Sequence, residues 1–393
     1  MVNEKIKQAI EILKEKNVDT WLTFVRETSS TPDPMLELIL GTHVVWPSAF
    51  IITAQGRAIA IVGSIDQQNI KDHADYEVIG YVASIKDELL KTLKELDPKR
   101  IAINYSVSDV TADGLTHGMY LTLIEYLEGT LYLERLEPSE AIVAALRGRK
   151  SKAETERIKS AIQETLKIFD EVTGFVKPGH TEQDVQAFIR SKMKERSLEP
   201  AWDPEQCPAV FTGPESAGAH AGPTKRKIEP GHLMNIDFGV RKQGYVSDLQ
   251  RTWYFLRPNE VQPPDEVQKG FETIRDAIKE AAKALKPGKK GWEIDAVARN
   301  YIVDTGYEEF PHALGHQVGR QVHDGSALLC PKWDRYKNLP YSIVEAGQVF
   351  TLEPRLTVED HGVATIEEIV VVTKKGCAFL STPQEELIVI PEA

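Results

Sequence analysis

Two apolar segments decide the fold of the second half of this chain: Leu233-Met-Asn-Ile-Asp237 and Val349-Phe-Thr-Leu-Glu353. Each of them ends in a carboxylate. A turn-forming stretch and a second acid follow each segment, Asp248 in the first case and Glu367 in the second. Apolar runs beside turn signals predict β-hairpins, with turns centred near residues 242–243 and 360. Those turn centres place the two acids of each hairpin opposite each other and on one face.

Four acids on apolar strands need a compensating cation, because like charges across a strand pair repel each other. A pair of divalent metal ions bridged by carboxylates is the simplest source of that charge. The alternative, four acids in separate surface ion pairs, is weaker because the neighbouring residues are apolar. Histidines available as nitrogen ligands lie mainly in the segment 310–324, with one more upstream of the first hairpin: His312, His316, His323 and His220.

The two acid hairpins belong to a longer internal repeat. The segment Phe175-Val-Lys-Pro-Gly179 recurs 109 residues later as Ala284-Leu-Lys-Pro-Gly288, and the two strand segments are 116 residues apart. Each copy predicts a helix that ends at Pro-Gly, a second helix and then strands. The second part of the chain is therefore predicted to be a duplicated helix–helix–strand–strand unit.

Residues 1–147 predict a different architecture. Strands are predicted at 20–25, 48–53, 58–62, 76–82, 100–105 and 131–133, with helices between most of them. Strands that alternate with helices indicate a layered α/β domain, and nothing in this part is typical of a catalytic site. Arg26, His43 and Trp46 lie in a loop-like stretch, where the simplest interpretation is two surface side chains and an aromatic cover for the core.

The composition is that of a globular protein with more than one domain. The chain has 393 residues, 41% hydrophobic and 27% charged residues, and a net charge of −12. This acidic balance argues against nucleic-acid binding, and no apolar run approaches the ~20 residues of a membrane span. Three widely spaced cysteines and a charged, amphipathic N-terminus favour a reducing, cytoplasmic location.

The order of the acids and histidines resembles that of the pita-bread metallopeptidases, which include methionine aminopeptidase, prolidase and aminopeptidase P. The resemblance covers residues 150–393 in detail, and the preceding part is similar to the N-terminal domain of the prolidase, aminopeptidase P and creatinase branch. It implies an α/β N-terminal domain (1–147) and an α+β pita-bread catalytic domain (148–393) with an internal pseudo-twofold repeat. All five metal ligands of the family have counterparts: Asp237, Asp248, His316, Glu353 and Glu367.

The resemblance implies a dinuclear-metal exopeptidase that cleaves the bond between an N-terminal residue and proline, as a Xaa-Pro dipeptidase or a Xaa-Pro aminopeptidase. Manganese is the expected metal because the ligands are rich in oxygen, and cobalt, zinc and iron are alternatives. Asp248 and Glu367 resemble the bridging ligands. Glu353 would also pass a proton from the attacking water to the leaving nitrogen.

The resemblance also implies roles for the remaining histidines and for one arginine. His220 and His323 would hydrogen-bond the scissile carbonyl and the developing oxyanion. His312 would orient its neighbours or shuttle protons. Arg335 is the only arginine between His323 and Glu353. It is therefore the candidate for the arginine that binds the free carboxylate of dipeptides in the prolidase branch, and a solvated loop arginine is the alternative.

Two positions depart from the family pattern. Where the family commonly has Glu-Pro-Gly and Arg-Ile-Glu, this chain has Glu353-Pro354-Arg355 and Thr365-Ile366-Glu367. The predicted hairpin places residues 355 and 365 opposite each other. We therefore hypothesise that the arginine has moved across the strand pair and that Arg355 still lies beside the metal carboxylates, at the substrate-binding side.

The resemblance further implies a homodimer in which Arg26, His43 or Trp46 reaches the active site of the other subunit. A creatinase-like or other small-molecule amide hydrolase on the same fold is an alternative function, and a binding protein without catalysis is another. The retention of all five ligands counts against a metal-free creatinase-like enzyme. The accessory histidines count against an inactive binding protein.

Overall fold

The computed structural model describes residues 1–107, 109–215 and 222–391. The chain divides into two compact units, Met1–Arg147 and Gly148–Ala393. Within the described ranges, no helix has both the length and the apolar character needed to cross a lipid bilayer.

The first unit is a layered α/β structure. Its helices are α1 (Val2–Lys16), α2 (Leu36–Ile39), α3 (Gln67–His73), α4 (Lys86–Leu96), α5 (His117–Leu127) and α6 (Glu140–Gly148). Its strands are β1 (Thr20–Val25), β2 (Ser48–Thr53), β3 (Ala58–Gly63), β4 (Glu77–Tyr81), β5 (Ile101–Ile103) and β6 (Leu136–Pro138). The strands form one mixed sheet in the order β4-β3-β2-β1-β5-β6.

Helices cover both faces of this sheet, because side chains along each strand alternate between the faces. Trp21 and Val25 belong to a buried cluster that also contains residues of α1 and α6. Leu22 and Phe24 belong to the cluster on the other face, with residues of α4 and α5. The layered α/β prediction for this unit is therefore confirmed.

Most of the strands predicted in this unit form close to their predicted positions, and 20–25 and 48–53 match in full. The strand predicted at 131–133 is wrong. A 3-10 turn occupies Leu133–Arg135, and β6 begins only after it. The apolar run was too short to distinguish a strand from a turn, and Leu131 is in fact 67% exposed.

The second unit contains the two acid hairpins and the helices that pack on them. Its helices are α7 (Lys152–Phe175), α8 (Glu182–Glu195), α9 (Asp265–Ala284) and α10 (Gly291–Asp304). Its strands are β7 (Glu199–Pro200), β8 (Ala209–Thr212), β9 (Leu233–Phe238), β10 (Val240–Lys242), β11 (Tyr245–Val246), β12 (Leu249–Phe255), β13 (Gly315–His316), β14 (Leu328–Leu329), β15 (Val349–Leu352), β16 (Arg355–Val358), β17 (Gly362–Thr365), β18 (Glu368–Val372), β19 (Cys377–Phe379) and β20 (Ile388–Ile390).

Each hairpin is supported from behind by one long helix. Phe169 of α7 packs edge-on against Phe238 of β9, with ring centroids 4.7 Å apart. Phe271 of α9 lies in one buried cluster with Leu356 of β16. The hairpins are therefore backed by rigid, apolar surfaces, which leaves their other faces to carry the acids.

The two halves of this unit share local contacts at the positions predicted by the repeat. The backbone N–H of Gly179 donates to the carbonyl of Ile228 at 2.8 Å, and that of Gly288 donates to Val344 at 2.9 Å. These donors and acceptors are 109 and 116 residues apart, as in the sequence repeat. The matched contacts support the predicted duplication, which itself stays a prediction.

Candidate metal centre

The first acid hairpin runs from β9 to β12 through a tight turn at Gln243-Gly244. Both turn residues have left-handed backbone angles, with φ of 52° and 77°, as a two-residue type I′ turn requires. This turn pairs Asp237 with Gln250 instead of Asp248. The predicted direct opposition of the two aspartates is therefore wrong, because the turn is centred one residue later than 242–243. The resulting shift of two residues in pairing leaves both aspartates on one face.

The backbone before Asp248 is fixed by a close approach to Gly239. A Cβ atom on Gly239 would lie 1.7 Å from the carbonyl oxygen of Ser247, so a larger residue would push the strands apart. The Ser247 hydroxyl accepts a hydrogen bond from the Val240 N–H at 2.9 Å and lies 2.7 Å from the hydroxyl of Thr165 on α7. These contacts hold Asp248, which is 7% exposed, at the end of the hairpin.

The second acid hairpin has the predicted register. Strand β15 pairs with β18 and β16 pairs with β17, in one continuous alignment. This alignment places Glu353 opposite Glu367. It also pairs Arg355 with Thr365, which confirms that the two departures from the family pattern face each other across the strands.

The two hairpins meet at their acids. The backbone N–H of Glu367 donates to the carbonyl of Gln250 at 3.2 Å, which forms a bridge between β12 and the start of β18. Asp248, His316 and Glu367 each place one potential ligand atom within 4.8 Å of the others. Acids from both hairpins and a histidine from a third segment therefore converge at one point.

His316 is held between two of the acids. Its backbone N–H donates to the Thr351 hydroxyl at 3.1 Å, and its Nε2 lies 3.2 Å from Glu353 Oε1 and 3.7 Å from Asp248 Oδ2. Burial acts to lower the pKa of His316, but the hydrogen bond to Glu353 and the two carboxylate charges raise it to about 9. Burial likewise acts to raise the pKa of Glu353, but His316 outweighs it and holds that pKa below its usual value.

Neither Asp237 nor Glu367 has a cationic partner among the described residues, and Asp248 has only His316, at 3.7 Å. Burial and neighbouring carboxylates raise the pKa values of Asp237 and Glu367 far above their ordinary values, and burial raises that of Asp248 to about 7. Both carboxylate oxygens of Glu367 and the Oδ1 of Asp237 are buried without a hydrogen-bond partner among the described residues.

Buried, unsatisfied carboxylate oxygens are rare in proteins because their desolvation is unfavourable. No lysine or arginine in the described ranges forms an ion pair with any of these acids. The donor set of four carboxylates and one imidazole therefore fits divalent metal ions.

Two further histidines surround Glu353. The ring of His323 lies edge-on to that of His316, with centroids 4.4 Å apart, and the charges of both His312 and His323 act to lower the pKa of Glu353. The Nδ1 of His312 lies 2.8 Å from the carbonyl oxygen of Ala313, which leaves Nε2 on the opposite side of the ring. Burial lowers the pKa of His312.

The remaining predicted site residues are placed at the margin or not described. His220 lies outside the described residues. Arg335 is exposed, its guanidinium packs over the rings of Trp333 and Tyr336, and it donates a hydrogen bond to the carbonyl of Pro311. Arg335 therefore lies next to the segment that carries His312.

Arg355 is half-buried on β16. Burial lowers its pKa, and its charge contributes to the lowered pKa of His312. Within the described ranges it forms no hydrogen bond or ion pair with the five predicted ligands. The hypothesis that Arg355 directly compensates the metal carboxylates therefore lacks the contact on which it depends.

Sequence reasoning missed a buried ion pair behind the histidines. Lys150 Nζ lies 2.9 Å from Asp324 Oδ2, and both side chains are almost fully buried. Asp324 also accepts a hydrogen bond from the backbone of Arg320, so the pair fixes the segment that contains His316 and His323. Lys150 and Asp324 are 174 residues apart, so no local pattern could reveal the pairing.

A second missed group holds the segment of His312. Arg299 forms two 2.7 Å hydrogen bonds with the carboxylate of Asp295 and donates to the carbonyls of Phe310 and His312. The available signal was the repeat itself, which aligns Arg299 with Arg190. The two copies differ here, since Arg190 is exposed and donates to the carbonyl of Pro204.

Comparisons with known proteins identify relatives over the whole chain. The model of metallopeptidase family M24 matches residues 156–374, more than half of the chain. A Xaa-Pro dipeptidase of Pyrococcus horikoshii is 26% identical over 390 residues, which cover 99% of each chain. A solved Xaa-Pro dipeptidase from Bacillus anthracis has a TM-score of 0.74 and 25% identity, and the match covers 99% of this chain and 100% of that one. A solved X-Pro aminopeptidase from Thermotoga maritima has a TM-score of 0.70 and 26% identity, with 98% and 99% covered.

The fold and the carboxylate–histidine cluster define a metal-dependent peptidase. This chain belongs to metallopeptidase family M24. It is accordingly a hydrolase of peptide bonds whose family uses divalent metal ions, and the predicted membership in the pita-bread metallopeptidases is confirmed.

Proposed function

We propose that this protein is a dinuclear-metal Xaa-Pro peptidase that cleaves the bond between an N-terminal residue and proline. The observation that carries the proposal is the convergence of Asp248, His316 and Glu367, in which both Glu367 oxygens are buried without a protein partner. Full-length relatives named for Xaa-Pro cleavage support the choice of substrate.

Two divalent ions would be held by the five ligands Asp237, Asp248, His316, Glu353 and Glu367, with Asp248 and Glu367 shared between them. Manganese suits a set of four carboxylates and one imidazole, and cobalt, zinc and iron are the alternatives. When bound, the ions would polarise the scissile carbonyl and make water nucleophilic near neutral pH. The protein contributes the geometry, because the two hairpins fix the distance between the acids.

The chain's own residues move the protons and bind the peptide carbonyl. Glu353 accepts a proton from the attacking water and delivers it to the amide nitrogen that leaves as the proline amine. His323, beside His316, donates a hydrogen bond to the oxyanion as charge develops on the carbonyl oxygen, and His220 shares this task. His312 Nε2 is free to relay protons, since its Nδ1 is engaged at Ala313.

Arg335 is proposed to select dipeptides by binding the free carboxylate of the substrate, while Arg355 contributes positive charge on the substrate side of His312. Support for Arg335 is its exposure beside the His312 segment and its stacking on Trp333 and Tyr336, which reduces its flexibility. Arg335→Met is expected to raise KM for Ala-Pro at least tenfold and to leave KM for Ala-Pro-Ala nearly unchanged. Lys337→Met, at an exposed neighbouring position, is the matched control.

The protein is proposed to act in the cytoplasm as a homodimer, with the unit Met1–Arg147 as a creatinase/prolidase-like N-terminal domain and the unit Gly148–Ala393 as the catalytic domain. In support, Arg26, His43 and Trp46 are exposed on the first unit, and Trp46 keeps 53% of its surface accessible. Aromatic residues are enriched in protein interfaces, so an exposed tryptophan here supports the proposal. Sedimentation analysis of the full chain tests this proposal. A dimer is the expected result, and a monomer would reject it.

The test of function is release of N-terminal alanine by metal-stripped full-length protein, with and without Mn²⁺, from Ala-Pro, Ala-Pro-Ala and Ala-Ala. Mn²⁺-dependent cleavage of Ala-Pro alone identifies a dipeptidase, and cleavage of Ala-Pro-Ala as well identifies an aminopeptidase. If the protein binds two metal ions but cleaves none of these peptides, the peptidase proposal fails and a non-peptide amide becomes the expected substrate.

A further inference from the structure

The loop that connects His316 to His323 is closed at its base by a backbone hydrogen bond. The N–H of Asp324 donates to the carbonyl of Gln317 at 2.8 Å. This bond joins the residue after His323 to the residue after His316, and the two imidazole rings lie edge to face with their centroids 4.4 Å apart. The relative position of the two rings therefore depends on how this loop closes.

The two histidines are anchored in different ways. His316 is part of β13, which pairs with β14, and its backbone N–H also donates to the Thr351 hydroxyl at 3.1 Å. His323 lies in the segment between these two strands, directly before Asp324. The Asp324 carboxylate accepts a hydrogen bond from the backbone N–H of Arg320 at 3.0 Å. A disturbance at Asp324 is therefore expected to reach His323 before it reaches His316.

Lys150 grips Asp324 through both its side chain and its main chain. The Lys150 Nζ lies 2.9 Å from Asp324 Oδ2 and donates to the Asp324 carbonyl at 3.0 Å. Both side chains are almost fully buried. The backbone N–H of Lys150 donates to the carbonyl of Gly347 at 2.9 Å, so the start of the lysine side chain is fixed as well. One buried ammonium group thus holds the residue that follows His323.

The loop leaves this ion pair little room to move. A Cβ atom on Gly319 would lie 1.9 Å from Asp324 Oδ2 and 2.7 Å from Lys150 Nζ. The carbonyl of Gly319 accepts a hydrogen bond from the backbone N–H of Val246 at 2.9 Å, which ties the loop to the first acid hairpin. The backbone at Gly319 therefore packs directly on the ion pair and limits where the Asp324 carboxylate can lie.

We propose that Lys150 is a positioning residue for catalysis, which acts through Asp324 to hold the His323 ring beside His316. The inference rests on the proposed function, in which His323 donates a hydrogen bond to the oxyanion. Such a donor is effective only if it is already in place when the charge develops. A displacement of about 1 Å caused by a distant substitution can lower the rate about 100-fold.

The first test compares kcat, KM and the Mn²⁺ dissociation constant of full-length variants, with calorimetry for the metal. Lys150→Met keeps the length of the side chain and removes its charge. It is expected to lower kcat for Ala-Pro about 100-fold and to leave KM and the Mn²⁺ dissociation constant within about threefold. Gly319→Ala, which displaces the Asp324 carboxylate without a change of charge, is expected to give the same pattern.

The matched control is Arg149→Met. It breaks the neighbouring ion pair, in which Arg149 makes two 2.8 Å contacts with the Glu345 carboxylate. This variant is expected to keep kcat within about threefold of the original chain. An unchanged kcat in Lys150→Met would overturn the inference, and so would a loss of Mn²⁺ affinity as large as the loss of kcat.

The double variant Lys150→Met/Asp324→Asn separates positioning from stability. Lys150→Met leaves a buried carboxylate without this cation and is expected to lower the urea midpoint. Adding Asp324→Asn removes that charge and keeps an oxygen for the Arg320 N–H, so about half or more of the lost midpoint is expected to return. The kcat is expected to stay about 100-fold low. A kcat that recovers together with stability would overturn the inference. If Lys150→Met alone fails to fold, the double variant and Gly319→Ala decide.

A measurement without substrate distinguishes this inference from the proposed function. In metal-stripped protein with ¹³C-labelled histidine, a nuclear Overhauser effect between the His316 and His323 rings is expected in the original chain and in Arg149→Met, and is expected to be lost in Lys150→Met. If that pattern is found but no Xaa-Pro peptide is cleaved, the function falls and the positioning role stands. If the ring contact persists in Lys150→Met, the inference is overturned whether or not the protein is a peptidase.

Discussion

The two acid hairpins carry the same kind of residues but differ in their turns. The first closes through two left-handed residues, Gln243 and Gly244, and its aspartates lie diagonally across the strands. The second closes through a longer turn around Asp360, and Glu353 lies opposite Glu367. The difference shows that turn chemistry, more than the acids themselves, sets which residues oppose each other.

The hairpins also differ in what surrounds their acids. Glu353 of the second hairpin is ringed by His312, His316 and His323, and its pKa is held low against the effect of burial. Asp237 of the first hairpin has no such neighbours, and burial and Asp248 raise its pKa. In the proposed function, the first hairpin therefore serves to hold cations, whereas the second combines a ligand with groups that transfer protons.

The largest expected effect separates these two tasks. Glu353→Gln is expected to lower kcat for Ala-Pro at least 10³-fold, since it removes both a ligand and the proton carrier. Asp237→Asn is expected to lower kcat only about 10- to 100-fold at saturating Mn²⁺, because Asp237 takes no part in proton transfer. Steady-state kinetics over a range of Mn²⁺ concentrations measures both. Equal losses at saturating metal would remove the functional distinction between the hairpins.

The next largest change is expected at the close contact between Gly239 and Ser247 in the first hairpin. Gly239→Ala places a Cβ atom against Ser247 and is expected to lower the free energy of unfolding by about 3 kcal/mol. Arg355 occupies the matching position two residues after the strand acid of the second hairpin, and Arg355→Gly is expected to lower that free energy by only about 1 kcal/mol. Urea titration of the metal-stripped proteins gives both values.

Gly174→Ala is the control for the glycine substitution, since a Cβ atom on Gly174 of α7 would meet nothing within 4 Å. It is expected to raise the free energy of unfolding slightly. If Gly239→Ala is as stable as Gly174→Ala, the strands can move apart at Gly239 without a loss of stability.

A smaller change, which stabilises the metal-free protein, is expected when Glu367 is replaced. In metal-stripped protein, Glu367→Gln is expected to raise the free energy of unfolding by about 2 kcal/mol. Burial raises the pKa of Glu367, so folding must either protonate this acid or keep it ionised without a partner, and the neutral amide avoids that cost. Mn²⁺ should then stabilise the variant less than the original chain. Thermal unfolding without and with Mn²⁺ measures the stability of the metal-free variant and its stabilisation by the metal. Glu359→Gln, at an exposed position, is the control. A less stable metal-free variant would mean that the protein itself compensates this acid.

The smallest effect concerns the turns. Gln243→Asn is expected to raise the free energy of unfolding by about 0.5 kcal/mol, because asparagine tolerates left-handed angles better than glutamine. Asp360 already has a left-handed angle, φ 60°, and is a residue type that accepts it, so Asp360→Asn is expected to change little. Urea titration measures both changes. If the urea midpoint shifts equally in the two variants, the two turns do not differ in their contribution to stability.

Local sequence patterns predicted the parts of the fold that depend on local chemistry. The strands around Trp21 and Phe50 and the register of the second hairpin follow from periodicity and turn residues. The short helix α2 between those two strands was not predicted, because that stretch is typical of a loop. The register of the first hairpin was missed by two residues because Gln243, an uncommon residue in a type I′ turn, concealed the turn centre. The alternation of strand side chains explains why the acids nevertheless share a face.

The contacts that position the site could not be predicted in the same way. Lys150 meets Asp324 and Gln250 meets Thr365 only after the chain has folded, since the partners are more than 100 residues apart. Such pairs leave no period or motif in the sequence. The resemblance to a family indicated the predicted ligands themselves, but the residues that hold them lie far away in the sequence and required the structure.

The central claim is that the two hairpins form one centre for two metal ions. Anomalous diffraction at the manganese absorption edge from crystals of the Mn²⁺-loaded full chain tests it most directly. We expect two peaks enclosed by Asp237, Asp248, His316, Glu353 and Glu367, both in contact with Asp248 and Glu367. A single peak, or peaks away from these five side chains, would contradict the account.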